Sequence, residues 1–191
     1  MNLSFIADKT FKGLLYTETR LPQGEYDSCI FEGCDFSNSD LSNTHFLDCE
    51  FMDCNLSNTH IKFTLFKDVF FKDCKLLGLK FSECDTTFMA FRFEHSNLSF
   101  ASFYQLSLPQ TLFKNCNLQK VDFVEAKLKE SCFENSNLDG AIFKQTDLSQ
   151  VDFSTAFNMA IDPTENNLNK AKFSKEDALS LLVKFNIIID D

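Results

Sequence analysis

Large apolar residues recur every five residues along most of the chain. One series runs from Phe11 to Phe81, and a second runs from Phe93 to Phe153 with Phe and Leu in alternation. A period of five fits neither the 3.6 residues of an α-helical turn nor the two-residue alternation of a β-strand. The chain is therefore expected to turn after each group of five residues, with every large apolar side chain pointing inward.

A longer period of twenty residues indicates how these turns are arranged. "FKNCNLQKVDF" from Phe113 is echoed by "FENSNLDGAIF" from Phe133. Four five-residue turns close a square coil and return the chain to the same side, so twenty residues form one repeat. Stacked coils would lie about 4.8 Å apart and pair their backbones as neighbouring strands do. One side of this all-β solenoid then collects a core ladder of phenylalanines: Phe31, Phe51, Phe71, Phe93, Phe113, Phe133 and Phe153.

Two interruptions of the rhythm predict the organisation of the chain. The two series differ in phase by two residues, which indicates a two-residue insertion between residues 81 and 93. The rhythm loosens again over 154–167 and resumes at Leu168 and Phe173. We predict one repeat domain over 1–173, followed by a C-terminal segment over 174–191.

The C-terminal segment reads as a short helix. Ser174 is expected to be its N-cap, with Asp177 three residues later in a variant of the capping box. Ala178, Leu181, Leu182 and Phe185 would then form one apolar stripe. Such a stripe can cover the last coil, where an open sheet edge would otherwise be exposed.

The cysteines follow the repeat. All except Cys132 lie at a second inward position, two residues before a large apolar residue, where Ser, Thr and Ala also occur. This interchange favours a packing role for free thiols. A metal site or a disulfide ladder is the alternative, because thiols in stacked coils are close enough to bridge. Cys132 is one residue out of step and is expected to face outward.

Charge and motifs exclude several classes of function. The formal net charge of -10 disfavours binding to nucleic acid or anionic membranes, and makes a basic protein partner the better expectation. No apolar run approaches the roughly 20 residues of a membrane span, and the start lacks the features of a secretory signal, so a cytoplasmic protein is expected. His45, His60 and His95 share no motif, and the glycines build no phosphate loop. We therefore expect no enzyme and no catalytic, cofactor-binding or metal site.

The units "CNLSN", "SNLSF", "CNLQK", "SNLDG" and "TDLSQ" resemble the pentapeptide repeat family over about Phe11 to Phe153. The resemblance implies that family's fold, a right-handed quadrilateral β-helix with four pentapeptides per coil. Three stretches look more narrowly like the Qnr and MfpA group of quinolone-resistance proteins. They are "CIFEGCDFSNSDL", "FRFEHSNLSFASFY" and the ending "IDPTENNLNKAKFSKEDALSLLVKFNIII".

The narrower resemblance carries functional expectations. It implies a DNA mimic that binds a type II topoisomerase, either DNA gyrase or topoisomerase IV, with fluoroquinolone resistance as one outcome. It also implies a homodimer formed through Ala178, Leu181, Leu182 and Phe185. Qnr proteins of Gram-negative bacteria have two long loops, whereas "LFKDVFFKDCKL" and "FYQLSLPQTLF" keep the repeat in unbroken phase here. Inhibition of the topoisomerase therefore competes with drug protection as the expected effect.

A structural or adaptor protein is the alternative, with an unrelated protein partner and a charge that serves only solubility. The placement of the acidic residues distinguishes these hypotheses. Acidic residues on one or two faces of the coil favour the DNA mimic, whereas an even spread over four faces favours the adaptor.

Overall fold

Parallel backbone pairing between successive coils builds the molecule. The computed structural model describes residues 4–17 and 19–188. The outer limits of the two predicted segments, at residues 1 and 191, lie outside this part of the chain. One sheet has the order β1 (Ser4–Ala7), β3 (Gly24–Asp27), β5 (His45–Leu47) and β7 (Leu65–Lys67). The other sheet has the order β2 (Thr10–Lys12), β4 (Ile30–Glu32), β6 (Glu50–Met52), β8 (Val69–Lys72), β9 (Phe91–Glu94) and β10 (Leu112–Lys114).

Isolated parallel bridges, such as Asp35 with Asn55 and Asp40 with His60, continue the pairing on the remaining sides. The repeat of the pairing is twenty residues, as in Phe31 with Phe51. Together these contacts form the parallel β-solenoid that the sequence predicts. No helix within the described ranges has the length and apolar character to cross a membrane.

The register changes at one place. Leu65 still pairs with Asp85, twenty residues on, but Phe71 pairs with Phe93, twenty-two residues on. Two additional residues therefore lie between Asp85 and Phe91. Phe91 is buried and its ring centroid lies 5.6 Å from that of Phe66, so it fills the core at a position that holds a small residue in most coils.

Phenylalanine rings stack along the axis of the coil. Each ring of the predicted ladder is fully buried. Phe113 lies between Phe93 and Phe133, at centroid distances of 5.2 and 4.9 Å with nearly parallel rings. It also meets Phe103 and Phe123 edge to face, at 5.9 Å each. Every ring therefore has aromatic neighbours above, below and beside it.

Local hydrogen bonds close the turns. Asp35 Oδ1 accepts from the backbone N–H of Ser37 at 2.8 Å, and Asn55 Oδ1 accepts from that of Ser57 at 3.1 Å. The residue that follows each of these serines, such as Asn38, has a positive φ. Asn reaches this left-handed conformation at little cost, so the polar residues of the repeat explain why the chain turns every five residues.

The thiols serve the core. Every cysteine except the half-buried Cys132 is buried. The thiols of Cys54 and Cys74 donate to the carbonyl oxygens of Phe31 and Phe51 at 3.2 and 3.3 Å. Burial raises the pKa of the Cys49 thiol to about 12. The Cys49 thiol therefore stays protonated near neutral pH.

A short helix follows the last coil. Helix α1 (Lys175–Ser180) begins at Ser174, whose Oγ accepts from the backbone N–H of Asp177 at 3.0 Å. A single 3₁₀ turn, Val183–Phe185, follows it. Lys184 contacts Asp162 and Thr164 of the last coil, and Leu181 packs against the core. These contacts attach the C-terminal segment to the end of the solenoid.

The stacked column predicts the cost of a cavity. Phe113→Ala should lower the free energy of unfolding by about 3 to 5 kcal/mol, because the rigid coil cannot collapse around the void. Chemical denaturation measures this loss. A loss below about 1 kcal/mol would contradict a rigid core at this position.

Candidate interaction surface

Each coil presents four faces, which we number by the inward column behind them. Face 1 lies over Phe31, Phe51, Phe71, Phe93, Phe113 and Phe133. Face 2 lies over Phe36, Leu56, Leu76, Leu98, Leu118 and Leu138. Face 3 lies over Leu41, Ile61, Phe81, Phe103, Phe123 and Phe143. Face 4 lies over Tyr26, Phe46, Phe66, Leu108, Leu128 and Leu148.

Unbalanced negative charge is concentrated on the N-terminal half of face 4. This region is the outer side of the sheet β1–β3–β5–β7 together with the coil that follows it. Its basic residues are Lys67, on the face, and Lys9, at the edge of the face. The acidic residues of this region, which we call the acidic surface, are Asp8, Glu25, Asp27, Asp48, Asp68 and Asp85. Asp8, Asp48 and Asp68 share one column, Glu25 and Asp85 share a second, and Asp27 lies in a third. Of these, Asp48 and Asp68 are direct neighbours at the strand spacing of about 4.8 Å.

Hydrogen bonds hold several of these carboxylates in place. Ser28 Oγ donates to Asp27 Oδ1 at 2.9 Å. The Thr87 backbone N–H donates to Asp85 Oδ1 at 2.8 Å, and hydrogen bonding by Thr87 lowers the pKa of Asp85 below its ordinary value. His45 Nδ1 lies 3.7 Å from Glu25 Oε2. Asp8, Asp48 and Asp68 are exposed, whereas Glu25, Asp27 and Asp85 are half-buried.

The other faces are closer to charge balance. On the C-terminal half of face 4, Lys127, Lys129 and Lys170 accompany Glu130 and Asp147. On face 1, lysines pair with acidic residues of a neighbouring coil. These pairs are Lys12 with Glu32 at 2.7 Å, Lys114 with Glu134 at 3.2 Å, and Lys172 with Asp152 at 3.3 Å. The acidic residues of face 2 are Asp35 and Asp139, and those of face 3 are Asp40, Glu83, Asp122, Glu125, Asp162 and Glu165, accompanied by Arg20, Lys62, Lys80 and Lys144. Face 1 and its edge also carry Glu50, Asp53, Asp73 and Glu94, beside Lys72 and Arg92.

The predicted dimer residues do not form one exposed stripe. Ala178 and Phe185 are exposed, whereas Leu181 and Leu182 are half-buried. Helix α1 ends at Ser180, and the 3₁₀ turn that follows changes the direction in which later side chains point. The exposed apolar residues of this end are Leu179, Val183, Phe185, Ile187 and Ile188. Helical periodicity in the sequence could not reveal them, because the helix does not continue.

No chemical centre is visible around the other polar candidates. His45, His60 and His95 lie in different coils. Over residues 4–17 and 19–188, no group of three or more His, Cys, Asp or Glu side chains is arranged to hold a metal ion.

The fold defines a class of protein, the right-handed quadrilateral β-helix. The chain belongs to the pentapeptide repeat family, because a family model described as a pentapeptide repeat region matches residues 25–92 and 86–157. A search of curated proteins gives no match.

Among solved structures, a trypsin-treated form of QnrB1, a plasmid-mediated fluoroquinolone resistance protein, matches with a TM-score of 0.59 and 18% identity. That match covers 98% of this chain and 100% of the QnrB1 chain.

A second trypsin-treated QnrB1 structure matches with a TM-score of 0.51 and 20% identity over 100% of both chains. At these identities the likeness shows the fold. No loop leaves the coil in "LFKDVFFKDCKL" or in "FYQLSLPQTLF", the two stretches that correspond to the long loops of Qnr proteins. Strands β7 and β8 occupy the first, and the bridges from Ser102 to Asp122 and from Ser107 to Lys127 continue through the second.

The stacking of like charges predicts that the acidic surface costs stability. Asp68→Asn should raise the free energy of unfolding by about 0.5 kcal/mol at low salt, because it removes a charge beside Asp48 while Asn suits the positive φ of this position. Thermal melts at low and high salt measure the gain, which should shrink as salt screens the repulsion. A destabilised variant would show that Asp68 has a structural role.

Proposed function

We propose that this protein binds a type II topoisomerase, DNA gyrase or topoisomerase IV, and modulates it as a mimic of duplex DNA. The observation that carries the proposal is the acidic surface, where six acidic residues from five coils are accompanied by Lys67, with Lys9 at the edge. A charge that served only solubility would need no such concentration. The likeness in fold to QnrB1 structures, described as those of a fluoroquinolone resistance protein, supports the same choice of partner.

The dimensions of the acidic surface suit partial mimicry of DNA. It spans five coils, or about 20 Å, at a spacing of about 4.8 Å. Duplex DNA carries about 12 charges over that length, and roughly half of them face any one side. The acidic surface offers a similar number of carboxylates on one side: Asp8, Glu25, Asp27, Asp48, Asp68 and Asp85. A basic DNA-binding channel in the cytoplasm is therefore a matching partner.

We further propose that two copies join through the C-terminal end. Leu179, Val183 and Phe185 are exposed there, beside a groove of about 560 Å³ that Met159, Ile161 and other residues line. A two-fold interface would cover these side chains with their own copies. Because the acidic surface lies at the opposite half of the coil, such a dimer would carry one acidic surface towards each end.

The unbroken coil bears on the direction of the effect. In the Qnr proteins that the sequence resembles, long loops are important for drug protection, and neither of the two corresponding stretches forms such a loop here. The surface that remains is one that competes with DNA. We therefore propose inhibition of the enzyme as the main effect, with protection from fluoroquinolones secondary to it.

A supercoiling assay with purified gyrase, and a decatenation assay with topoisomerase IV, test this function. Micromolar protein should inhibit at low salt, and Asp48→Asn with Asp68→Asn should require roughly five to ten times more protein because complementary charge drives the encounter. Glu125→Gln with Asp139→Asn removes the same charge from faces 3 and 2 and serves as the control. Equal loss in both double variants would point to net charge rather than the acidic surface. No effect on either enzyme would favour the adaptor alternative.

The C-terminal interface has its own test. Val183→Glu with Phe185→Glu should give folded monomers, because the new charges would face their own copies across the two-fold axis while Leu181 still covers the core. Light scattering measures the mass, and circular dichroism checks the fold. Leu14→Glu with Leu15→Glu changes exposed residues at the other end and should leave a dimer. An unchanged mass in the first variant would exclude this interface.

A further inference from the structure

Two exposed phenylalanines hold an unfavourable backbone conformation at the edges of face 3. Phe63 has a φ of 57° and is 58% exposed, and Phe100 has a φ of 63° and is 60% exposed. In other coils the same turn positions hold Asn43 and Asn58, which suit a left-handed backbone far better than a bulky aromatic residue. Neither the turn nor the core benefits from these rings. At the border of a groove, an aromatic side chain that is both strained and exposed indicates a binding role.

A groove separates these rings along the coil. Gly78 occupies the position below Phe100, and an added Cβ there would lie 2.8 Å from Asn58 Oδ1. The coil that contains Gly78 and Ser82 has small side chains there, so its surface is recessed. The coil before it carries Phe63, and the coil after it carries Phe100 and Tyr104. The resulting groove has a volume of about 210 Å³ and is lined by Asn58, Thr59, His60, Ile61, Gly78, Lys80 and Glu83.

Lysines accompany the aromatic rings. Lys62 Nζ lies 5.1 Å from the ring centroid of Phe63, and Lys120 Nζ lies 5.4 Å from that of Phe100. Lys80 lies in the groove, 3.5 Å from Glu83. Within the described ranges, Lys62 and Lys120 form no ion pair. We call this set the aromatic–lysine surface: Lys62, Phe63, Lys80, Phe100, Tyr104 and Lys120.

We propose that the aromatic–lysine surface binds an acidic, apolar segment of a partner protein. Apolar side chains of the segment would pack against Phe63, Phe100 and Tyr104, and its carboxylates would meet the ammonium groups of the lysines. Aromatic residues that combine apolar area with a polar or cationic neighbour dominate many protein interfaces. A phosphate backbone is the poorer partner, because the net charge of -10 repels it at every approach. The site goes beyond topoisomerase binding and does not depend on it.

The two surfaces select opposite partners. The acidic surface on face 4 attracts basic groups, whereas the aromatic–lysine surface presents Lys62, Lys80 and Lys120, with Glu83 beside Lys80 in the groove and Asp122 above Ser102 at its border. One rod can therefore hold two different proteins at once, and a segment that suits one surface is repelled by the other.

The test uses the full chain and a short labelled peptide in which Glu and Leu alternate. Fluorescence anisotropy at low salt should show binding, and amide NMR shifts should change around His60, Phe63, Gly78 and Phe100. Phe63→Asn with Phe100→Asn should weaken binding roughly tenfold or more while thermal stability stays equal or rises, because Asn suits both turns. Phe88→Asn is the matched control, since Phe88 is an exposed phenylalanine with a φ of 54° elsewhere on the coil and should leave binding unchanged.

Charge provides an independent arm. Lys62→Glu with Lys120→Glu should weaken binding of the Glu–Leu peptide and should not affect folding, because both residues are exposed. A peptide in which Lys and Leu alternate should not bind at this surface. The proposal is overturned if the Glu–Leu peptide fails to bind, if both double variants bind it like the wild type, or if a single-stranded DNA oligonucleotide binds this surface more tightly.

Discussion

Parallel pairing between coils in a fixed register is the constraint on which the rest of the structure depends. Because each residue lies directly above its equivalent in the previous coil, any side chain chosen for one coil meets the same position again at about 4.8 Å. Flat aromatic rings suit this spacing, and Phe93, Phe113 and Phe133 stack at 4.9 to 5.2 Å with nearly parallel planes. The core is therefore a set of columns, and one ring type can fill a column from end to end.

The same register also stacks the surface side chains of successive coils. Whether this stacking stabilises the fold depends on the charges of those side chains. Opposite charges in one column stabilise the stack, as in Lys12 with Glu32 and Lys114 with Glu134 on face 1. Like charges in one column repel each other, as Asp48 and Asp68 do on face 4. A chain under selection for stability alone would alternate the charges on every face. The acidic surface departs from this arrangement at Asp48 and Asp68, and the edge of face 1 does so at Asp53 and Asp73. All four residues have a positive φ, which Asp tolerates better than most residues.

The sequence predicts most of what the register controls. The five-residue period predicts the inward columns, the polar residues before Phe and Leu predict the turn hydrogen bonds, and Ser174 predicts the helix start.

Other features depend on local geometry that does not repeat along the chain. Phe91 fills the core at the insertion because the position five residues after Phe81 holds the exposed Thr86, and the half-buried Met89 only partly fills the gap. Leu181 and Leu182 turn towards the coil because helix α1 ends after Ser180. The acidic surface was within reach of the sequence, since writing the chain in twenty-residue rows places Asp48 above Asp68.

In a solenoid, a substitution on one surface has little effect on the stability of a distant surface. Each coil contacts only its neighbours, so a change on one face or in one coil has little route to a distant one. Phe63 and Phe100 can therefore occupy strained turns without disturbing the stack of Phe113, and Asp48 and Asp68 can repel each other without loosening the C-terminal cap at Lys184. This independence allows one rod to carry an acidic surface, an aromatic–lysine surface and an apolar end. The stacked phenylalanine core must be stable enough to offset the destabilisation that the three surfaces cause together.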